Sequence, residues 1–480
     1  MKHPEAVLHQ SLNLAIGVLS DNSDRKLTDL QEEFEGYWAS LPDCVSAKCF
    51  LTPREKPEQI NAFCNPKTPQ SNIPVAFYKE TLPESYGFKI KLDKLQSRNA
   101  WYIPLKRATL PPPPDSQATP EYIHGLLKYV ATPYREKLKT KLTNQKKRKK
   151  GKESHHKELF LFSQPRPSGM LALFGAAVTG TSKSTFFGDY SENRWKVTPL
   201  SIQRHYEEYL LERSGAELSL RDKTIAVIGC GAVGSRIAEQ LALSGLGHII
   251  LVDNDRLSQD NIYRHVLGGS AIGDLKAKAM ATHLKWRLPY VDTTAEPIKR
   301  ESWLDKGDWK GVQLIVDATA DFTGMLEMNK AILKSVNRVP VIYCWLEACG
   351  IGGHALYVDG ISKGCLECLI DIKEQGPCRR CDFLEPFQNV TKDLTGCGGV
   401  YSPFSALDSI KTATLVTQLA LECLSGNMRS TYRFWKGNDI IAKNEGLKIS
   451  AWYHTVTNGD FEVASKRFNR SECSVCGGFS

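Results

Sequence analysis

The sequence lacks the segments that would place a protein in or across a membrane. None of its apolar runs approaches the roughly 20 residues that a bilayer-spanning helix needs. Residues Met1–Leu14 are polar and carry no apolar core of the kind found in a secretory signal peptide. We therefore expect a cytoplasmic protein with no membrane partner.

Strong charge is also missing outside one segment. The net charge is only +9 over 480 residues, and much of it lies in Lys137–Lys157, around the run KKRKK at residues 146–150. Such a run can bind nucleic acid, but a solvated loop is the commoner outcome, so we predict no nucleic-acid partner. With 41% hydrophobic and 24% charged residues, the chain has the composition of a soluble protein of two or three domains.

The most informative feature that is present is a glycine turn between a strand and a helix. Residues 224–235 read TIAVIGCGAVGS, a β-branched strand followed by Gly229, Gly231 and Gly234. This spacing lets backbone N–H groups approach a phosphate at the N-terminus of a helix. By itself the pattern most often indicates NAD or FAD binding.

The residues that follow favour a nucleoside triphosphate instead. A second strand, His248–Val252, is followed by Asp253 and Asp255, and then by Arg264 and Lys276. A nicotinamide site needs one acid for the ribose hydroxyls but no pair of cations. Terminal phosphates do need fixed positive charge, so the pattern favours adenylation over hydride transfer.

The segment 200–476 resembles the ThiF/MoeB/ubiquitin-activating superfamily. The resemblance is carried by Asn261-x-x-Arg264 and Gly273-x-x-Lys276 after the glycine turn, and His265 matches the bacterial ubiquitin-like branch. Members of this superfamily use ATP to activate the C-terminal Gly of a small β-grasp protein, releasing pyrophosphate. The resemblance therefore implies an adenylyltransferase with ATP and Mg²⁺ as cofactors.

Strand–helix alternation from Thr224 to Ile342 predicts an α/β fold with a Rossmann-like, doubly wound sheet. We assign residues 196–480 to this adenylation domain, with a crossover loop at 370–403. Residues 1–195 are predicted to form an N-terminal α+β accessory domain, either a pseudo-adenylation domain or a partner-binding one. We also predict one helix over Leu27–Trp38 and a helical segment over Pro199–Leu220.

The resemblance implies roles for individual side chains. It assigns Asp253 to the ribose, Asp255 to magnesium or phosphate, and Asn261 to orientation of the α-phosphate, while Arg264 and Lys276 stabilise the transition state. It also places a magnesium-binding Asp after the strand Leu314–Val316. The usual second Asp is replaced by Ala320, which leaves Asp317 or Asp321 as ligand, with Asp321 preferred.

Relatives also use an Arg before the glycine strand, often one that reaches across a dimer interface to the γ-phosphate. Arg204 and Arg213 both lie there, and the local pattern favours Arg213. A homodimer is therefore one expected assembly.

The cysteines indicate a metal site. Cys365/Cys368 and Cys473/Cys476 form two C-x-x-C pairs, as in closed structural zinc sites with four thiolates. A third pair, Cys378/Cys381, could compete for the metal.

Cys397 lies in a Gly-rich stretch before a predicted helix, Ser405–Leu424. Relatives that form a thioester with their cargo place the nucleophilic Cys in this loop. Cys378 and Cys381 lie in the same loop and remain alternatives.

We therefore predict a bacterial ubiquitin-like activating enzyme, of the kind found in antiviral operons, that forms a thioester and serves a ubiquitin-conjugating-type enzyme. Three alternatives stay open. A sulfur-carrier adenylyltransferase of the ThiF/MoeB type shares the fold, although no rhodanese-like segment is visible. An inactive scaffold that binds a β-grasp protein is the second, and an NAD-dependent oxidoreductase, which leaves Arg264 and Lys276 unexplained, is the third.

Overall fold

The computed structural model describes most of the chain, and it divides into two compact units, Met1–Leu210 and Leu211–Ser480. The described residues are 9–12, 23–65, 74–79, 82, 94–113, 116–143, 154–182, 185–188, 194–307, 309, 311–336, 338–393, 400–426, 428–456 and 468–478. Among them, no helix is long and apolar enough to cross a bilayer.

The first unit is a closed barrel with helices on its outer surface. Its elements, in chain order, are α1 (Ser23–Glu32), α2 (Phe34–Ala39), β1 (Val45–Cys49), β2 (Glu58–Cys64), β3 (Pro74–Tyr78), β4 (Gln96–Pro104), α3 (Pro120–Gly125), α4 (Thr132–Thr143), β5 (Ser154–Pro165), β6 (Leu171–Ser182) and β7 (Trp195–Arg204). The strand order is β1-β3-β2-β4-β5-β6-β7, and parallel pairing of β1 with β7 closes the barrel. This unit is therefore not a doubly wound sheet.

Alternation along the strands explains the two cores of this unit. In β4, Ala100 and Tyr102 belong to one buried cluster with β2 and β3, while Trp101 and Ile103 belong to the other, which includes the helices. This is the period-two pattern of a strand buried on both faces. Trp38 of α2 packs in the second cluster, and its indole N–H donates to the carbonyl oxygen of Leu200 at 3.1 Å.

Of two local predictions in this region, one is confirmed except for a break and the other is wrong. The helix predicted over Leu27–Trp38 is two helices, α1 and α2, separated at Glu33. Residues Pro199–Arg204, predicted as helical, belong to β7, which is hydrogen-bonded to strands on both sides. Long-range strand pairing therefore outweighs the local pattern here.

The second unit contains the predicted doubly wound sheet, and the α/β fold class is confirmed. It opens with α5 (Glu207–Ser214), which begins before the division, and continues with β8 (Thr224–Ile228), α6 (Ala232–Leu243), β9 (His248–Val252), α7 (Lys276–Arg287), β10 (Asp292–Glu296), α8 (Arg300–Asp305), β11 (Leu314–Asp317), α9 (Phe322–Lys334), β12 (Val341–Leu346) and β13 (Gly352–Val358). The sheet order is β10-β9-β8-β11-β12-β13-β18, where β18 is the strand Thr431–Lys436. The five strands from β10 to β12 are parallel to one another. Strand β13 is antiparallel to β12, and β18 is antiparallel to β13.

Smaller elements complete the unit: β14 (Ile370–Lys373), β15 (Gly376–Arg379), β16 (Lys392–Asp393), β17 (Val400–Tyr401), α10 (Ala406–Ser425), β18 (Thr431–Lys436), α11 (Ile440–Asn444) and α12 (Ala451–Thr455). The long helix α10 starts where the sequence predicts a helix. Ser405 accepts a hydrogen bond from the N–H of Asp408, whose carboxylate accepts from the N–H of Ser405. This capping box satisfies N–H groups that would otherwise lack partners at the helix start.

Candidate nucleotide site and cysteine cluster

The sheet has a switch point between β8 and β11, and a cavity of about 270 Å³ lies there. The chain leaves β8 toward β9 and β10, and then returns to β11 on the other side of β8. Ligands of doubly wound proteins bind outside the carboxyl ends of the strands at such a point. The cavity is lined by Ile228, Gly229, Gly231, Val252, Asp253, Asn254, Asp255, Lys276, Ile298, Arg300, Ala318 and Thr319.

The glycine turn forms one wall because two of its positions accept only glycine. Gly229 has φ of +86°, a conformation that L-residues with a side chain rarely adopt. A Cβ on Gly234 would lie 1.7 Å from the carbonyl oxygen of Gly229. Helix α6 therefore begins in close contact with the end of β8, as phosphate-binding turns require.

Asp253 is fixed by the turn itself. Its carboxylate accepts hydrogen bonds from the N–H of Cys230 and from the N–H of Asp255, each at 2.7 Å. Burial raises the pKa of Asp253 above its ordinary value, although these bonds and nearby Lys276 oppose the rise. The acid predicted to bind ribose therefore lies on the cavity wall.

Lys276 is the first residue of α7, and its ammonium lies 3.0 Å from a carboxylate oxygen of Asp255. The Lys276 side chain is only 12% exposed, whereas that of Asp255 is 64% exposed. Both residues line the cavity. A cation held in place by an exposed acid is available to a polyphosphate, which can replace that acid.

His265 links the glycine turn to the segment that follows β9. Its Nε2 lies 2.6 Å from the carbonyl oxygen of Cys230, and its Nδ1 accepts from the N–H of Leu267 at 3.0 Å. These partners require a neutral ring with the proton on Nε2. Burial lowers the pKa of His265, consistent with that neutral form. No pattern in the sequence predicted this structural role of His265.

Asn261 and Arg264 form a pair, and neither residue is among those that line the cavity. The amide oxygen of Asn261 accepts from Nη2 of Arg264 at 3.0 Å and from Nε at 3.3 Å. The guanidinium also stacks over the ring of Phe404, 4.7 Å from its centre. Asn261 thus orients Arg264, and Phe404, which the sequence did not single out, supports the other face.

Asp317 and Asp321 are joined by a residue that sequence reasoning missed, Arg300. Its Nη1 lies 3.3 Å from Asp317, and its Nη2 lies 2.8 Å from Asp321. Asp321 also caps α9 by accepting from the N–H of Gly324, whereas Asp317 is fully buried and accepts from both the N–H and the hydroxyl of Thr319. No local pattern marks Arg300, because its partners follow in another βα unit.

The two arginines considered before the glycine strand lie in different surroundings. Arg204 is ion-paired with Glu35 at 2.6 Å and stacks over Tyr209 within the first unit. Arg213 lies exposed in the last turn of α5. Of the two, Arg213 is the one whose side chain faces solvent.

Four cysteine sulfurs come together although two of them are over a hundred positions from the other two. The Sγ atoms of Cys365, Cys368, Cys473 and Cys476 all lie within 4.8 Å of one another. The Cys365–Cys473 and Cys368–Cys476 distances are 3.8 and 3.5 Å. Four sulfurs at about 2.3 Å from a tetrahedral zinc would lie about 3.8 Å apart. The cluster could therefore hold a metal of this kind.

The third cysteine pair is not part of this cluster. Cys381 is buried in the core, where its thiol interacts with Tyr432 and burial raises its pKa far above the ordinary value. Cys378 is also buried, and its pKa is raised for the same reason. Cys397, the predicted nucleophile, lies outside the described residues.

A buried polar network ties the start of the crossover segment to the sheet. Glu347 accepts from His354 at 2.8 Å and from the N–H groups of Phe383 and Leu384 at 2.6 and 2.9 Å. His354 in turn contacts the hydroxyl of Tyr432 through Nδ1 at 2.6 Å. Burial raises the pKa of Glu347 to about 7 and lowers that of His354 to about 4. These bonds position the backbone at Phe383 and Leu384.

Comparisons with known proteins agree with this geometry. Residues 204–440 match the model of the ThiF family. The chain is 31% identical over 238 residues to the ATP-dependent ubiquitin transferase-like protein Cap2 of Pseudomonas aeruginosa (strain BWHPSA011 / Pa011), covering 48% of this chain and 42% of Cap2. It is 26% identical over 281 residues to the adenylyltransferase and sulfurtransferase MOCS3 of Mus musculus, covering 58% of this chain and 53% of MOCS3.

Among solved structures, E. coli MccB with ATP is 18% identical, covers 54% of this chain and 67% of its own, and has a TM-score of 0.38. The chain thus spans about half the length of the curated relatives described above.

Proposed function

Since residues 204–440 form a ThiF-family domain, we propose that this chain is an ATP-dependent activating enzyme for a bacterial ubiquitin-like protein. A carboxylate oxygen of the modifier's C-terminal Gly attacks the α-phosphorus of ATP, and the bond to the β-phosphate breaks. The products are an acyl-adenylate and pyrophosphate. The cavity at the β8/β11 switch point is the observation that carries the proposal, because it combines the glycine turn, Asp253 and Lys276.

Each residue of the site has a separate role in binding ATP or in stabilising the transition state of adenylation. The turn from Gly229 to Gly234 offers backbone N–H groups at the start of α6, and Asp253 accepts from the ribose hydroxyls. Lys276 and the pre-oriented Arg264 face the charge that develops on the phosphates, and fixed cations stabilise such charge without reorganising. Arg213, which is exposed, would reach the γ-phosphate of a second copy if the chain forms a homodimer.

Magnesium fits this site by its donor chemistry, since Asp317 and Asp321 offer the oxygen ligands that it prefers. When bound with ATP, the ion would neutralise phosphate charge as pyrophosphate leaves. The cysteine cluster is proposed as a structural zinc site, because its sulfur separations match a tetrahedral four-thiolate centre. Zinc there would join the segment after β13 to the C-terminal residues 468–478.

After adenylation, the thiolate of Cys397 attacks the acyl carbon, AMP leaves, and the modifier is held as a thioester. A conjugating-type enzyme then takes the acyl group on its own Cys. Burial of both Cys378 and Cys381, with their raised pKa values, supports Cys397, because the nucleophile must be an accessible thiolate. Similarity to Cap2, an ATP-dependent ubiquitin transferase-like protein, supports the activating step. Membership of an antiviral conjugation system is part of the same proposal and rests on the resemblance of the sequence to that branch of the superfamily.

Sulfur-carrier activation is the second candidate, and similarity to MOCS3, an adenylyltransferase and sulfurtransferase, is the observation that favours it. Both candidates share the adenylation step. They differ afterwards, because only the first requires a thioester on this chain that reductant removes. A non-reducing gel of the chain with ATP, magnesium and modifier separates them.

The adenylation step is tested by ATP–pyrophosphate exchange with a matched pair of lysine variants. Lys276→Ala removes a cavity cation, so exchange should fall by about two orders of magnitude or more. Lys285→Ala removes an exposed lysine from the last turn of the same helix and should leave exchange unchanged. Equal rates in both variants would contradict the placement of the triphosphate.

A further inference from the structure

Arg300 is a cation built into the wall of the nucleotide cavity. It is the first residue of α8, its side chain is 7% exposed, and it lines the cavity with Lys276 and Thr319. Its guanidinium donates to Asp317, Thr319, Asp321 and Glu301 at distances between 2.7 and 3.3 Å. A side chain held by this many acceptors is a positioned element rather than a solvated surface charge.

The protein leaves room for this guanidinium. A Cβ on Gly324 would lie 1.4 Å from Nη2 of Arg300 and 2.4 Å from Oδ2 of Asp321. Gly324 lies in the first turn of α9, which Asp321 caps. A side chain at this position would push the ends of Arg300 and Asp321 away from the place where they meet.

Arg300 engages the same carboxylates that a magnesium ion would need. One oxygen of Asp317 accepts from Thr319, and the other from Arg300. One oxygen of Asp321 accepts from Gly324, and the other from Arg300. Each of the four carboxylate oxygens therefore already has a protein donor. A metal could still use a remaining lone pair, but it would share these carboxylates with the positive charge of Arg300, which competes with it electrostatically.

The two acids differ in how easily they can be released. The Asp317 side chain is fully buried, whereas that of Asp321 is 55% exposed, and its bond from Gly324 is long at 3.4 Å. If Asp321 turned away, Arg300 would keep Asp317, Thr319 and Glu301 as acceptors. Transfer of Asp321 from Arg300 to a metal would therefore leave no buried charge without a partner. Transfer of Asp317 would instead require a fully buried carboxylate to leave the donors that hold it.

We propose that Arg300 is a positioning residue that holds Asp321 in the nucleotide-free protein, and that the divalent cation entering with ATP takes Asp321 from it. The protein thereby avoids tight metal binding in the absence of ATP, because the guanidinium of Arg300 neutralises the carboxylates until the divalent cation arrives. This role rests on the proposed function only in assuming that the cation comes with ATP. The competition between Arg300 and a metal can be measured without catalysis.

The test uses Mn²⁺ as the probe and the zinc-loaded full chain without ATP, with free Mn²⁺ read by electron paramagnetic resonance. Arg300→Gln should bind Mn²⁺ at least ten-fold more tightly than the unaltered chain, because the competing charge is gone. Arg300→Lys keeps a charge and should bind more weakly than Arg300→Gln. Adding Asp321→Asn to Arg300→Gln should abolish the gain.

Arg433→Gln serves as the control, because it removes a partly buried arginine paired with Glu422 at 2.6 Å, far from the cavity residues in sequence and in the sheet. It should leave Mn²⁺ affinity unchanged. A gain in affinity cannot result from misfolding, so a folding defect does not mimic the expected result. The proposal is overturned if Arg300→Gln binds Mn²⁺ no more tightly than Arg433→Gln does. The proposed function would be overturned by a different result, namely that the unaltered chain shows no ATP–pyrophosphate exchange.

Discussion

Gly234→Ala is the substitution whose effect the structure determines most directly. The new Cβ would lie 1.7 Å from the carbonyl oxygen of Gly229. Non-bonded carbon and oxygen atoms keep about 3 Å or more between them, so helix α6 and the end of β8 must separate by about 1 Å or more. Overpacking of a close contact costs about 1–3 kcal/mol. Because the clashing atom here belongs to the backbone and cannot rotate away, we expect a loss of about 3 kcal/mol in the free energy of unfolding.

Gly231→Ala is the matched control in the same turn. A Cβ there would meet nothing within 4 Å, so its free energy of unfolding should stay within about 0.5 kcal/mol of the unaltered chain. Thermal unfolding of the second unit should occur about 6–12 °C lower in Gly234→Ala, since about 1 kcal/mol corresponds to about 2–4 °C in a domain of this size. Calorimetry of ATP binding should also show at least ten-fold weaker affinity for Gly234→Ala.

The reasoning fails if the two alanine variants unfold at the same temperature. If Gly234→Ala were as stable as the control Gly231→Ala, the turn would tolerate a side chain at Gly234. Helix α6 would then not approach β8 as closely as described. Destabilisation without loss of ATP affinity would separate the packing role of the turn from its proposed phosphate role.

Four further predictions concern the cysteines, Arg264 and Glu347. Cys365→Ser should release about one zinc per chain in metal analysis, and freshly purified unaltered protein without zinc would remove the claim. Arg264→Ala should lower modifier-dependent pyrophosphate exchange at least a hundred-fold, and normal exchange would show that this arginine does not face the phosphates. Cys397→Ser should keep exchange but lose the reductant-sensitive adduct on a non-reducing gel, whereas Cys381→Ser should keep both; the opposite pattern would make Cys381 the nucleophile. Because the pKa of Glu347 is raised to about 7 from an ordinary 4.5, its protonation favours the folded state, and its own contribution to stability should fall by up to roughly 3 kcal/mol as pH rises from below 4.5 through 7. His354, whose pKa is lowered to about 4, contributes with the opposite sign. The test is therefore the difference in urea unfolding between the unaltered chain and Glu347→Gln: this difference should change with pH over that window, and a difference that stays constant would contradict the prediction.

The second unit could be predicted from sequence because its signals are local. The strand His248–Val252 is found where predicted, and the glycine spacing identifies the start of α6, since close packing leaves no alternative residue at Gly234. Paired cysteines predict the four-sulfur cluster because two C-x-x-C segments are the usual ligand pattern of a four-thiolate metal site. In each case the signal itself is a short local motif, even where, as for the two cysteine pairs, the motifs lie far apart in the chain.

The first unit could not be predicted in the same way. Its barrel closes through pairing of Val45 with Leu200, and α2 is held by a hydrogen bond from Trp38 to Leu200. Such contacts join segments more than 150 positions apart, and no period in the local sequence encodes them. The mistaken helix over Pro199–Arg204 has this cause.

Within the candidate site, the unpredicted residues are those that act on other side chains. Arg300 holds two acids from a later βα unit, Phe404 supports Arg264, and His265 holds the carbonyl of Cys230. Sequence patterns identify groups expected to touch a ligand, because their chemistry is recognisable. They do not identify the supporting groups, whose identity depends on which segments meet in space.

The central claim is that the chain adenylates the C-terminal Gly of a β-grasp protein, and ATP–pyrophosphate exchange measures it most directly. The assay uses the full chain with ATP, magnesium and a candidate β-grasp protein that ends in Gly, either intact or lacking its last Gly. We predict exchange that depends on the intact modifier and is lost when that Gly is removed. Exchange that is absent with the intact modifier, or equally fast with the truncated one, would contradict the claim.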